Sequence, residues 1–338
     1  MKRLIITPRG YVTKVNNFFR FERPFGYSSV LLCDWPFVFG CIPIPDVDEN
    51  IIIDSFNWST KNGYIEEDAM IHAAMYAYGF GEKKSIKDSI LFPSCIPNLI
   101  DFPNKTIFNL SNDNFLKKFA DNASTFSFPS AAKYIDSVYP IVDSIELLHQ
   151  MFDAGAKIIQ LRLKEYHIGD LDKLIKRACV LSLKYPSSKL FINDHWNLAI
   201  QNGAYGIHLG QDDLFLADMK AIENSGLHIG LSSHSYWEVS RAIRYKPSYI
   251  ACGPIFPTKI KKMPWRIQGV QNLKYWSRVL KIPTVGIGGI SLSNLHEVKK
   301  TSCSGISIIS AIVQSKHPRK TFNLFESQWK KHRHEHIG

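Results

Sequence analysis

The sequence predicts an α/β protein: a closed (β/α)8 barrel preceded by a small or incomplete α+β domain. Three observations predict it. From residue 138 onward, short apolar β-rich runs alternate with helical stretches in about eight repeats, as in a parallel barrel with a helix after every strand. The most regular stretch, residues 191–214 (FINDHWNLAIQNGAYGIHLGQDDL), reads strand, helix, strand, with Gly203 placed to end the helix. The alternative, an open doubly wound sheet, usually brings a glycine-rich first turn, and that turn is absent.

Bulk properties narrow the class. The chain has 338 residues, enough for two domains, and no run nears the roughly 18 uninterrupted apolar residues of a membrane helix. Its start, MKRLIITPRG, lacks the apolar core of a secretory signal or transit peptide. Six cysteines are scattered without a C-x-x-C pair, so neither a zinc site nor a disulfide framework is indicated and a reduced cytoplasm is expected. The net charge is +11, but acids and bases are about equal in number up to residue 127. No basic stripe with interleaved aromatics tracks a phosphate backbone, so nucleic acid is not an expected partner. Residues 326–338, with KKHRHEH, read as a solvated basic tail whose His332, His334 and His336 belong to a frayed terminus.

Residues 1–127 read as a domain of their own, rich in aromatics, Asn, Ile and Pro. Residues 29–39 and 51–53 are candidate strands. Residues 66–78 (EEDAMIHAAMYAY) are the clearest helix, with acids in the first turn and Gly79 to end it. Pro93, Pro97 and Pro103 keep 89–103 irregular, and no phosphate-binding glycine loop precedes the helix.

The barrel strands are expected at 138–142, 157–163, 190–192, 206–209, 228–231, 249–252, 284–287 and 305–309. Helices are expected between them at 144–154, 171–184, 195–202, 213–224, 236–245, 273–280 and 293–300. A barrel of this kind builds its active site at the C-terminal ends of its strands. The second strand ends in Gln160, Leu161, Arg162, Leu163 and Lys164, whose polar members alternate and so share one face. Three polar groups facing a barrel core would be costly unless a charged ligand meets them. Asn193 and Asp194 follow the third strand, Asp213 the fourth and Ser232 the fifth.

Neighbouring parallel strands end at one edge, so Asp194 and Asp213 should face each other. Two close carboxylates repel unless a cation lies between them, and hard oxygen ligands suit Mg²⁺. The alternative is that each simply caps a helix. Arg162, Lys164 and Lys261 are cations without an acidic partner nearby in sequence, and with Mg²⁺ they suit a diphosphate. The loops after the last two strands, with Gly288-Gly289 and Ser310, suit a monophosphate. A reaction joining two phosphorylated small molecules with pyrophosphate leaving would use both places. His195, His208 and His234 read as hydrogen-bonding structural residues.

These residues closely resemble the thiamine phosphate synthase family. The matching stretches are YPIVDS (139–144), QLRLK, FINDHWNLAI, AYGIHLGQDDL, IGLSSH, PSYIACGPIFPT, KKMP, QGV, TVGIGGIS and SIISAI, in family order across about 128–315. The resemblance implies a (β/α)8 barrel over 128–325 that couples hydroxymethylpyrimidine diphosphate to a thiazole phosphate, releasing pyrophosphate. It implies that Gln160, Leu161, Arg162, Leu163, Lys164 and Asn193 bind the pyrimidine diphosphate and that Asp194 and Asp213 hold Mg²⁺. Ser232 would contact the pyrimidine side and Lys261 the pyrophosphate. Thr258, Lys259, Ile260, Gly289, Ile309 and Ser310 would receive the thiazole phosphate.

One position departs from the family pattern Thr-x-Thr-Lys, since this chain reads Thr258-Lys259-Ile260-Lys261. Losing that hydroxyl removes a hydrogen bond to the phosphate, a weakening on the order of 1.5–3 kcal/mol. Residues 63–103 faintly resemble the end of a hydroxymethylpyrimidine kinase domain without its anion loop, which implies an eroded remnant. Two competing functions are a thiazole tautomerase of the same build and a non-catalytic thiamine-phosphate-binding barrel. The diphosphate-binding cations and paired carboxylates argue against the first, because a tautomerase has no pyrophosphate to neutralise.

Overall fold

The computed structural model describes residues 4–7, 29–34, 39–44, 49–79, 107–109, 126–164, 166–258 and 266–331. The chain groups into two compact units. The first comprises Met1–Thr125 with Ser235–Tyr245 and Met263–Arg266, and the second the remainder.

In the first unit β1 (Leu4–Thr7), β2 (Ser29–Asp34), β3 (Phe39–Ile44) and β4 (Ile107–Asn109) form an antiparallel sheet in that order. The candidate strand at 29–39 is thus two strands, with Asp34 opposite Phe39. The candidate strand at 51–53 is corrected: these residues lie inside the helix Glu49–Lys61. Three isoleucines are too short a run to distinguish strand from helix, and nothing breaks the helix before Gly63, at φ 78°. The helix Glu66–Gly79 follows. Its buried His72 takes a hydrogen bond at 3.0 Å with Ser59 and packs edge-on to Tyr64 and Tyr236. Burial lowers the His72 imidazole to about 3. Asp68 accepts from the amide of Trp237 at 3.0 Å, and the Arg266 guanidinium lies 4.7 Å from the centre of the Tyr64 ring.

The second unit is the barrel. Its strands are β5 (Val138–Val142), β6 (Ile158–Leu161), β7 (Lys189–Asn193), β8 (Gly206–Leu209), β9 (His228–Ser233), β10 (Tyr249–Cys252), β11 (Thr284–Ile287) and β12 (Gly305–Ile308). Every pair is parallel, and β12 closes on β5 with Ile306 opposite Val138. Tyr139, Ile158, Phe191, Tyr249, Ala251 and Val285 fill the interior, joined by Ala131 and Ile135. Two strand glycines make room for the large rings. A Cβ on Gly206 would lie 2.5 Å from the Phe191 ring, and one on Gly230 would lie 2.1 Å from Tyr249.

Helix starts are set by side chains. Ser144 accepts from the Leu147 amide to cap Ile145–Asp153, the next helix being Ile168–Ser182. The helix expected at 213–224 is two, Asp213–Leu216 and Met219–Asn224, because Asp218 accepts from the amides of Lys220 and Ala221 and begins a new one. The helix Pro318–Lys330 runs through the first residues assigned to the basic tail: Trp329 is buried, and Glu326 accepts from the Val138 amide at 2.9 Å.

Candidate active site

Strand register decides which side chains meet. Asn193 on β7 stands opposite His208 on β8, and Leu161 on β6 opposite Ile192 on β7. The residues that follow these strands therefore emerge at one rim. There the Lys164 ammonium lies 2.5 Å from Oδ2 of Asp194. Asp194 extends the ladder, its amide donating to the His208 carbonyl at 2.9 Å, and then turns into left-handed backbone at φ 62°. Aspartate adopts that conformation more readily than most residues.

Asp213 begins the helix Asp213–Leu216, and its carboxylate stands over Gly210, where a Cβ would lie 2.9 Å from Oδ2. Burial first, then the charge of Asp194 and a hydrogen bond with it, push the Asp213 carboxyl up, while Lys164 pulls it down. The two carboxyl groups thus act on each other across the rim. Neither caps a helix: the residues flanking these helix starts, His195 and Asp212, make no side-chain cap bond. Among the described residues no three His, Cys, Asp or Glu side chains gather as a metal site. Two hard carboxylates on one side suit Mg²⁺, which takes its remaining oxygens from water and phosphate.

The floor below this rim is a chain of hydrogen bonds. Gln160 is buried and its Nε2 donates to the Tyr139 hydroxyl at 3.2 Å. The Tyr139 and Tyr249 hydroxyls are 2.9 Å apart. Tyr249 meets His208 Nδ1 at 2.8 Å, and His208 Nε2 meets the Ser232 hydroxyl at 2.8 Å. Burial lowers the His208 imidazole to about 4, with the Asp194 charge working against it, so at neutral pH the ring has one N–H. With the Gln160 amide donating, Tyr139 donates to Tyr249, Tyr249 to Nδ1, and Nε2–H to Ser232. Ser232 then keeps its own proton for a group above the floor.

Gln160, expected to face a ligand, is thus buried with its Nε2 on the Tyr139 hydroxyl. Arg162 is half-buried, its amide continuing the ladder to the Val142 carbonyl at 2.8 Å. Leu161 and Leu163 are buried, and the Leu163 carbonyl accepts from His195 Nε2 at 3.3 Å. Lys164, with no acidic partner nearby in sequence, meets Asp194 from across the rim.

The second corner lies after β10 and β11. The amides of Ile255 and Phe256 donate to the carbonyls of Ile287 and Gly288 at 2.9 and 3.0 Å. A Cβ on Gly289, at φ 68°, would lie 2.7 Å from the Phe256 Cβ, so this approach requires glycine. Asn294 donates to the Gly289 carbonyl at 3.0 Å. Ile309 and Ser310 begin the short helix Ser310–Val313, and Ser310 is exposed. Thr258 is half-buried, while Lys259, Ile260 and Lys261 lie outside the described residues. The residues that sequence reasoning missed are Tyr139, Tyr249 and the link from His208 to Ser232. A buried tyrosine hydroxyl needs a partner, and two inward tyrosines beside an inward Gln and His were the available signal.

A family model described as thiamine monophosphate synthase matches residues 138–312. The thiamine-phosphate synthase of Proteus mirabilis is 44% identical over 196 residues, covering 58% of this chain and 90% of that protein. That of Neisseria meningitidis is 42% identical over 192 residues, covering 56% and 93%. Among solved structures, a thiamine phosphate pyrophosphorylase from Pyrococcus furiosus superposes with a TM-score of 0.53 at 27% identity, covering 59% of this chain and 98% of that one.

Proposed function

The chain belongs to the thiamine monophosphate synthase family, and from that premise we propose how its barrel joins a hydroxymethylpyrimidine diphosphate to a thiazole phosphate. It is an enzyme, a thiamine phosphate synthase and so a transferase. The substrates, the metal and the residue roles are our reading. The observation that carries it is the meeting of the Asp194 and Asp213 carboxyl groups beside Lys164.

In this reading Asp194 and Asp213 would hold Mg²⁺, which when bound neutralises charge on the diphosphate. Lys164 and Arg162 supply further positive charge at the same rim, and Lys261 is assigned to the departing pyrophosphate. Asn193 and the outward proton of Ser232 orient the pyrimidine. The carbon–oxygen bond to the diphosphate breaks, leaving a methylene cation stabilised by the electron-rich aminopyrimidine. The thiazole nitrogen then supplies the electron pair of the new carbon–nitrogen bond. The corner formed by Thr258, Lys259, Ile260, Gly289, Ile309 and Ser310 receives the thiazole phosphate. Alignment and charge neutralisation suffice, and no side chain serves as a nucleophile.

We place the reaction in the cytoplasm. Cys179, Cys252 and Cys303 are free thiols, and no helix among the described residues is long and apolar enough to cross a membrane. Incubating the chain with both substrates and Mg²⁺ and assaying pyrophosphate tests the reading. Stoichiometric release with thiamine phosphate supports it. Thiazole isomerisation without pyrophosphate would indicate a tautomerase, and binding of thiamine phosphate without turnover a non-catalytic barrel.

A further inference from the structure

On the outside of the barrel a groove of about 770 Å³ runs between the helices Ile145–Asp153 and Ile168–Ser182. We propose that it docks an acidic amphipathic helix of a partner protein.

The groove has an apolar floor and a basic rim. Ile145, Val180 and Leu181 line its floor. Val180 is 54% exposed, and Leu183 beside it is 77% exposed. A lone exposed aliphatic residue needs no explanation, but here Val180 stands with the half-buried Ile145 and Leu181 in one groove. Lys173, Lys176, Arg177 and Lys184 line the rim, against the single carboxylate of Glu146, with His149 also on the facing helix. Lys173 has a loose, exposed contact with Asp170 at 3.9 Å. Among the described residues, Lys176, Arg177 and Lys184 pair with no carboxylate.

The spacing selects the occupant. Positions 173, 176, 177, 180, 181 and 184 recur at three and four residues, so they form one stripe along the helix and its end. That stripe is roughly 16 Å long, or three turns. A small phosphorylated anion would engage one turn and leave the others unmatched. A helix laid in the groove matches its length, its apolar residues meeting the floor and its Asp or Glu flanks meeting the rim. A second copy of this chain is disfavoured by a net charge of +11 on each partner. Nucleic acid would seek aromatic platforms, and none lines the groove.

The probe is a fluorescein-labelled peptide of about 18 residues, built of Leu, Glu and Ala with Leu at every third or fourth position. Its binding to the full chain is read by fluorescence anisotropy. We expect saturable binding, weakened at least about tenfold by the double variant Lys176→Glu/Arg177→Glu and by Val180→Asp. Lys320→Glu, at an exposed site elsewhere, should leave binding unchanged, and all variants should keep synthase activity, which shows that they fold. A scrambled peptide of identical composition should bind at least about tenfold more weakly. Absence of saturable binding overturns the proposal, as does equal binding of the scrambled peptide. So does an equal loss in Lys320→Glu, or binding of oligo-dT that is tighter than the peptide's and abolished by the groove variants.

Discussion

The Lys164 ammonium lies 2.5 Å from the Asp194 carboxylate, so the cation assigned to the diphosphate and a carboxylate assigned to the metal neutralise each other. Lys164 therefore competes with any cation for Asp194. Lys164→Ala should bind Mg²⁺ several-fold more tightly without substrate, because an opposing positive charge is gone. The same change should lower kcat/KM about 100-fold, because charge stabilising the leaving group is lost. Calorimetric titration with Mg²⁺ and steady-state pyrophosphate release measure the two effects. Parallel losses in both would contradict the competition.

Asp213 sets a pH dependence with a definite sign. Burial and the Asp194 charge raise its carboxyl above the ordinary 3.8. A raised carboxyl favours its protonated form, so ionising it costs the folded chain stability as pH rises through the folded value. Mg²⁺ has the opposite preference and needs the ionised form. Its affinity should therefore fall with acidification, beginning above pH 3.8, and Mg²⁺ at 100 times its Kd should stabilise the neutral-pH fold by about 2.7 kcal/mol. Asp213→Asn should raise the Tm of the metal-free chain at pH 7 while abolishing the Mg²⁺-dependent shift. Thermal unfolding across pH with and without Mg²⁺ reads both outcomes.

How far these features were legible in the sequence follows from their range. The barrel strands were legible because short apolar runs punctuated by turns need only local pattern, and β8, β10 and β11 fall where 206–209, 249–252 and 284–287 predicted. The nearness of Asp194 to Asp213 was legible because parallel strands joined by one helix end together. Hydrogen bonds across the barrel were not, since Tyr139 and Tyr249 are 110 residues apart. For the same reason neighbouring residues do not reveal the partner of Lys164, which lies 30 residues on. The isoleucines at 51–53 were misread because a short apolar run has no period of its own.

Tyr249→Phe isolates the floor of the site. It deletes one hydroxyl and strands two buried groups, Tyr139 OH and His208 Nδ1, at a cost of about 1–3 kcal/mol. With Nδ1 unengaged, His208 no longer has a fixed tautomer, and Ser232 loses its orientation. A roughly tenfold lower kcat should accompany the stability loss. Ser232→Ala should lower kcat similarly with a smaller loss of stability, because it strands one group, the His208 Nε2–H, beside a half-buried position that water can reach. Denaturant unfolding and steady-state kinetics on the two variants separate the effects, and an unchanged kcat in Tyr249→Phe would detach the floor from the chemistry.

Gly230→Ala tests whether the interior is built around the same tyrosine. The added methyl would lie 2.1 Å from Cζ of Tyr249. That ring cannot swing aside, because it is buried against Tyr139 and Phe191 and its hydroxyl is tied to His208. Overpacking of this kind costs about 1–3 kcal/mol, and the displaced hydroxyl adds a lost bond. In the background of Tyr249→Ala the methyl has space, so Gly230→Ala should then cost little beyond the cavity already made. A double-mutant cycle by denaturant unfolding measures the difference as a coupling between the two positions. Additive costs would mean that the strand glycine is required for some reason other than the ring beside it.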